Sequence, residues 1–226
     1  MNRPNTVNIR YGLVGANGKM GVEIQSYFSS LGDLCVLRKD RGVLEEIERP
    51  QVIIDFSSPD AVFETVELCR KYSCGLVIGT TALTEEHFSR LKELSEHVPV
   101  VQSYNFSTGI AILKRIIKEY ASYFEDWDAA MVEIHHNQKK DAPSGTAKML
   151  KQALGREIPI SSIRVGGIFG EHTLIFSNSG ETVEITHRAL SRRAFVIGVR
   201  NAALFVLGKE KGFFSYDDVL ESAQAR

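Results

Sequence analysis

The order of apolar and polar positions divides the chain into two regimes. In the first, short apolar runs alternate with helical patterns. Asn8 to Val14 reads as a strand, after which Val22, Ile24, Tyr27, Phe28 and Leu31 recur at helical spacing. Leu34 to Leu37 reads as a second strand. Val52 to Phe56 is a nearly unbroken apolar run, as a strand buried on both faces requires. Ser57-Ser58-Pro59-Asp60 then opens a helix with proline near its first turn. Leu76 to Ile78 and Val98 to Val101 are further strands, separated by a helix that Thr84 opens and that carries Phe88, Leu91 and Leu94 on one face. This rhythm predicts a parallel sheet wound by helices.

The grammar changes after an amphipathic helix predicted from Phe106 to Phe124. Strands at Asp128 to His136, near Ile163 to Gly166, at Thr173 to Phe176 and at Thr182 to His187 surround one helix, Ser144 to Leu154. In the first of them the apolar Val132 and Ile134 alternate with polar neighbours. Strands in close succession across short turns predict an antiparallel or mixed sheet. The domain change therefore falls near residue 106. Arg193 to Leu207 is a last long helix, stopped by Gly208, and the aromatic segment Phe213 to Leu220 is expected to pack on one of the domains.

Composition narrows the function classes. The 226 residues carry a formal charge of −1, with 24% charged and 43% hydrophobic positions. That is an ordinary globular balance, and it argues against a general nucleic-acid binder, which shows a basic excess. No apolar run reaches the length of a membrane span. The opening MNRPNTVNIR lacks the apolar core of a signal peptide, so a polar lead-in and a cytoplasmic protein are expected. Cys35, Cys69 and Cys74 have no CxxC spacing, and Cys69 and Cys74 are expected as small buried apolar residues and not as ligands or a disulfide.

Two stretches carry candidate chemistry. The first strand runs into Gly15-Ala16-Asn17-Gly18-Lys19-Met20-Gly21 and then a helix. Strand, glycine-rich turn and helix form the phosphate cradle of dinucleotide folds, although the spacing here is GxxGxxG and not the stricter GxGxxG. The second strand ends in Arg38-Lys39-Asp40-Arg41, where a carboxylate would take the ribose hydroxyls of NAD or a cation the 2′-phosphate of NADP. Asp40 suits the first, Lys39 and Arg41 the second, and both cofactors stay open. Gly79-Thr80-Thr81 and Ser103-Tyr104-Asn105-Phe106 lie at two further strand ends on the same edge.

The second stretch is VEIHHNQKKDAPSGTAKML, from Val132 to Leu150. A strand delivers His135 and His136 into a loop with Lys139, Lys140 and Asp141, and the loop leads into a helix start at Ser144-Gly145-Thr146. Unpaired backbone N–H groups and flanking cations would hold a small anion there, and a histidine could carry a proton near neutral pH. Adjacent strand residues face opposite ways, so one histidine alone should face the reaction unless the strand ends or bulges there.

GLVGANGKMG, VIIDFSSP, GLVIGTT, YNFSTG, EIHHNQKKDAPSGTA, GEHTLIF, GETVEITHRALSR and GKEKGFFSYDDVL together resemble the dihydrodipicolinate reductases, in order, from about Arg10 to Leu220. The resemblance implies an α/β fold. A Rossmann-like dinucleotide-binding domain would span 1–106 and 194–226, and an α+β substrate-binding and oligomerisation domain with a mixed sheet would span 107–193. It implies NADH or NADPH as cofactor, no metal, a small dicarboxylate substrate, and a homotetramer built through the substrate-domain sheets. The implied reaction reduces 4-hydroxy-tetrahydrodipicolinate to tetrahydrodipicolinate with loss of water.

The family's proton donor/acceptor falls on His135, its lysine proton donor on Lys139, and its contacts to substrate carboxylate on His136, Gly145 and Thr146. Its cofactor segments fall on Gly15, Ala16, Asn17, Gly18, Lys19 and Met20, on Asp40 and Arg41, on Gly79, Thr80 and Thr81, and on Ser103, Tyr104, Asn105 and Phe106. The chain is short between Asp40 and Val52, where an extra strand or helix of longer members is expected to be missing, and between Leu154 and Arg164. Two other readings stay open: another nicotinamide-linked amino- or imino-acid reductase, and a non-catalytic NAD(P)-binding regulatory module.

Overall fold

The computed structural model describes residues 8–224. The first part of the expected polar lead-in, residues 1–7, and the last two residues lie outside them. In chain order the elements are β1 (Arg10–Val14), α1 (Lys19–Ser30), β2 (Leu34–Asp40), β3 (Val43–Glu46), β4 (Val52–Asp55), α2 (Pro59–Tyr72), β5 (Gly75–Ile78), α3 (Glu85–Ser95) and β6 (Pro99–Gln102). They continue with α4 (Thr108–Tyr120), a 3₁₀ turn (Ala121–Phe124), β7 (Asp128–His135), α5 (Gly145–Leu154), β8 (Ile160–Arg164), β9 (Glu171–Ser177) and β10 (Thr182–Arg188). The chain closes with α6 (Arg193–Leu207), β11 (Gly212–Phe214) and α7 (Tyr216–Gln224). Among the described residues no helix is long and apolar enough to cross a membrane.

Two compact units divide the chain, one up to Phe106 and again from Phe195 onward, the other Ser107–Ala194. The first is built on a sheet ordered β11-β6-β5-β4-β1-β2-β3. β1 pairs in parallel with both β2 and β4, so the strand order reverses direction at β1, and the loops after β1 and β4 open on one edge. β4 and β5 are buried at every position, which is why their sequences read as continuous apolar runs.

The final segment returns to this unit. β11 adds to β6 in parallel, and α6 is tied by Arg200, whose Nε donates to Asp33 Oδ2 at 2.7 Å. Asp33 also accepts the Ile9 N–H at 2.9 Å, so one buried carboxylate joins the start of the sheet to the last long helix.

β3 was not expected. Arg41 and Gly42, with φ of 43° and 83°, make the tight reversal that lets Val43–Glu46 pair antiparallel to β2. All four β3 residues are exposed. An edge strand without a buried face has no reason to alternate, which hid it from a periodicity reading. The predicted Phe106–Phe124 helix also begins later, because Ser107 caps it: its hydroxyl accepts the Ile110 N–H.

The second unit holds a mixed sheet ordered β10-β9-β7-β8. β7 and β8 are parallel, with α5 as the crossover, while β7, β9 and β10 are antiparallel. Leu113 and Ile117 of α4, Leu150 and Leu154 of α5, Leu174 and Phe176 form its core. β7 shows the alternation expected from sequence. Its buried positions are Met131, Glu133 and His135, and Val132 and Ile134 occupy the less buried face.

Candidate functional site

In the first unit the candidate residues gather at the edge beyond β1 and β2. A cleft of about 700 Å³ is lined by Gly15, Asn17, Gly18, Lys39, Asp40, Arg41, Ser57 and Ser58, among others. The glycines are dictated by space. A side chain at Gly15, whose φ is +81°, would meet the Phe56 carbonyl, and one at Gly21 would collide with the Gly15 and Ala16 carbonyls. α1 has no side-chain cap and no acidic residue in its first turn, so its N-terminus suits an anion delivered from outside. Asp40 Oδ2 accepts the Asn17 N–H at 2.7 Å, fixing its carboxylate against the glycine loop. The buried Lys39 ammonium is already paired with Glu64, while the Arg41 side chain is 98% exposed.

The sequence reading missed Asp55, which organises this edge. It is fully buried at the end of β4. Its carboxylate accepts from Ser57 N–H (2.9 Å), Ser57 Oγ (2.5 Å), Thr80 Oγ1 (2.8 Å) and Thr65 Oγ1 (2.6 Å). The loops after β4 and β5 are thereby held together. Thr80 is consequently buried with its hydroxyl committed inside the fold, and Phe106 is buried against Phe56 and Tyr216. Their side chains are therefore committed to contacts inside the fold. Ala16 is buried too, whereas Thr81 and Tyr104 are exposed. Ser103 Oγ donates to the Asn105 carbonyl, a local turn.

In the second unit the groups converge where β7 ends. Glu133, with no exposure, accepts from Arg164 Nη2 at 2.6 Å on Oε1 and presents Oε2 to His135 Nδ1. His172 on β9 sets its ring edgewise to His135, with centroids 5.1 Å apart, and its Nε2 lies 3.1 Å from Ser144 Oγ. Ser144 also accepts the Ala147 N–H at 3.1 Å as the cap of α5. The strand stops at His135, and the His136 N–H donates to the Ile168 carbonyl at 2.7 Å.

Lys139 Nζ meets Asp141 Oδ1 at 2.7 Å, and the Arg164 guanidinium also donates to the Asp141 carbonyl at 2.6 Å. The expected open N-terminus of α5 is therefore partly filled from within. The Asp141 carboxyl is held below its ordinary range: burial opposes this, but Lys139 and the Gly145 N–H outweigh it.

The electrostatics follow from burial. Desolvation alone would push the Glu133 carboxyl up, but hydrogen bonds from Arg164 and Ser162 and the charge of His135 bring it down to about 2. Burial lowers His135, assisted by Lys139 and Arg164 and opposed by Glu133. Burial, then His135, lowers His172 to about 3. Near pH 7 the cluster thus combines an ionised carboxylate with two neutral imidazoles. Glu133, His135 and His172 bring one ligand atom each within 4.8 Å of one another. A cation placed there would face the Arg164 guanidinium already bound to that carboxylate, so the set fits a hydrogen-bonded cluster better than a metal cage.

The structure thus brings Gly15, Asn17, Gly18, Asp40 and Arg41 to one cleft, and His135, Lys139 and the Ser144–Gly145 cap to one strand end. Glu133, Arg164, His172 and Asp55 were not singled out in sequence. Only Glu133 had a local signal, two residues before His135 and hence on the same strand face.

Family models described as "Dihydrodipicolinate reductase, N-terminus" and "Dihydrodipicolinate reductase, C-terminus" match residues 9–106 and 109–220. The 4-hydroxy-tetrahydrodipicolinate reductase of Thermosipho africanus is 51% identical over 95% of this chain and 99% of its own length. That of Archaeoglobus fulgidus is 35% identical over 96% of this chain and 87% of its own. Among solved structures, dipicolinate-bound dihydrodipicolinate reductase from Paenisporosarcina sp. TG-14 superposes with a TM-score of 0.77 at 24% identity, covering 92% of this chain and 98% of that one. An amine dehydrogenase from Mycobacterium smegmatis reaches a TM-score of 0.60 at 10% identity over 93% of this chain and 96% of that one, a likeness of fold.

The buried histidines make the protein acid-sensitive. Unfolded, His172 protonates near its ordinary 6.5; folded, it resists until about 3. Its contribution is complete above 6.5 and is lost as the pH falls. Between pH 7 and pH 5 that loss amounts to about 2 kcal/mol, and His135 and His187 act in the same direction. Urea unfolding at the two pH values should reveal the loss, and His172→Gln should reduce it. An undiminished loss in the variant would assign the sensitivity to other groups.

Proposed function

The chain belongs to the dihydrodipicolinate reductase family, and from that premise we propose that it catalyses the NAD(P)H-dependent reduction of 4-hydroxy-tetrahydrodipicolinate to tetrahydrodipicolinate with loss of water, in diaminopimelate and lysine biosynthesis. The observation that carries this is the β7 end, where His135, Lys139 and the capped start of α5 occupy one strand-loop-helix turn. The unit containing the glycine loop is the dinucleotide-binding domain in this reading, and Ser107–Ala194 the substrate-binding and oligomerisation domain. A cytoplasmic site of action accords with a biosynthetic role.

The first unit fits its cofactor on its own geometry. Gly15 and Gly21 admit no side chain, and the uncapped start of α1 borders the 700 Å³ cleft. The backbone from Gly15 to Met20 would take the pyrophosphate, Asp40 and Arg41 the adenosine ribose, and the Gly79–Thr81 and Ser103–Phe106 turns the nicotinamide half. When bound, the dihydronicotinamide supplies the hydride.

The residues of the second unit would do the remaining work. The substrate is a cyclic imine with two carboxylates. Loss of its C4 hydroxyl as water leaves a conjugated C=C–C=N system. A hydride added at the carbon end drives negative charge toward nitrogen. Lys139 would stabilise that charge or deliver a proton to it. His135 would hold or receive a proton on the same side. His136, Gly145 and Thr146 would bind a substrate carboxylate, which would displace Asp141 from the Gly145 N–H and release Lys139.

We further infer a homotetramer associating through the mixed sheets. Val132, Ile134 and Ile175 lie on the face turned away from the core, and Ile163 and Val165 are 43% and 50% exposed. An apolar sheet face of that kind supports association through it.

The imine generated in place from pyruvate and aspartate semialdehyde should be reduced with oxidation of NADH or NADPH. His135→Ala and Lys139→Ala should each lose about 100-fold or more in kcat while cofactor affinity holds. Cofactor binding without turnover in the wild type would favour a regulatory module; turnover of simple amino acids alone would favour a different reductase. Light scattering should report four times the 25.2 kDa chain mass, and Ile163→Lys should lower it. A monomeric wild type would remove the tetramer.

A further inference from the structure

We propose that Glu133 is a positioning residue for His135: its buried carboxylate holds the N–H of the imidazole on Nδ1 and leaves Nε2 as the atom that exchanges a proton with the ligand. The proposal rests on the reading of His135 given above, but its geometry stands independently.

Strand alternation puts Glu133 and His135 on one face of β7, two residues apart. Both are buried, Glu133 completely. The carboxylate has little freedom. Arg164 Nη2 holds Oε1 at 2.6 Å and the Ser162 hydroxyl bonds the same group, so Oε2 is the oxygen that meets the ring, at Nδ1. A carboxylate accepts and cannot donate, and a neutral imidazole has one N–H to give. The two atoms approach within ion-pair distance without the alignment of a regular hydrogen bond, and a carboxylate this close favours the Nδ1–H tautomer, as it does where it orients a catalytic or metal-binding histidine.

The opposite side of the ring supports the assignment. Nε2 faces Gly170, whose φ is +155°, and a Cβ there would stand only 3.1 Å from it, so a side chain at that position would crowd the nitrogen. The charged and titratable groups facing the ring are Glu133 on β7, Arg164 on β8, His172 on β9 and Lys139 in the loop. Glu133 alone among them favours the protonated ring. It would thus select the tautomer and also ease formation of the imidazolium when Nε2 takes up a proton.

The test is Glu133→Gln. Arg164 would keep the amide oxygen on its side, which turns the amide NH₂ toward Nδ1 and forces the N–H to Nε2. Two-bond ¹H–¹⁵N spectra of histidine-labelled protein read the tautomer directly. The wild type should show His135 as Nδ1–H and the variant as Nε2–H. In the coupled assay the variant should lose at least about 10-fold in kcat with cofactor KM unchanged, and the limb of the pH profile due to His135 should move to lower pH.

A wild-type His135 carrying its proton on Nε2 overturns the proposal, even if the variant fails to fold. So does a folded variant with wild-type kcat and pH profile. An Nδ1–H ring in a wild type that turns over nothing would leave the positioning intact and remove the reductase reading instead.

Discussion

Burying an ionised carboxylate costs several kcal/mol unless its lone pairs are filled, and the second unit is arranged around meeting that demand at Glu133. Arg164 comes from β8 and Ser162 from the same strand, so the parallel pairing of β7 with β8 supplies the donors. His135 comes from β7 itself. Arg164 then reaches on to the Asp141 carbonyl, which ties the loop to the strands. His172 on β9 holds Ser144, the cap of α5. One buried negative charge and the groups around it thus set the relative positions of a strand end, a cationic loop and a helix start.

The first unit repeats the device with different chemistry. Asp55 sits at the end of β4 and collects donors from the loops after β4 and β5, which steadies the edge where the strand order reverses. The glycine loop beside it is shaped by exclusion: Gly15 and Gly21 leave no room for a Cβ. In both units a polar residue at the end of a central strand is buried so that a neighbouring loop can be presented in a fixed shape. Hydrogen bonds to a charged group are the stronger kind, and they suit this task.

Much of this fold could be read from apolar periodicity, because most strands and helices bury one face or both. The parallel rhythm up to residue 102, the glycine loop and the α6 span of Arg193–Leu207 follow from it. The exceptions share a cause. β3 buries no residue, so it carries no pattern. β11 is three residues long and gains its place from pairing with β6, far away in sequence. On β7 the alternation is legible but not which face is inner, because the buried face carries Glu133 and His135. Arg164 and His172 lie about thirty residues from the groups they contact, beyond any local motif. The open helix start inferred at Ser144–Thr146 left out Asp141, whose side chain folds back onto Gly145.

The central claim is that the start of α5, with Lys139, is the anion site of a dicarboxylate reductase. It is tested most directly by titrating dipicolinate into ¹⁵N-labelled protein and following the backbone amides of Gly145 and Thr146. Saturable shifts at both, with loss of the Lys139–Asp141 contact, are the expected result. Binding that leaves those two amides unmoved would contradict it.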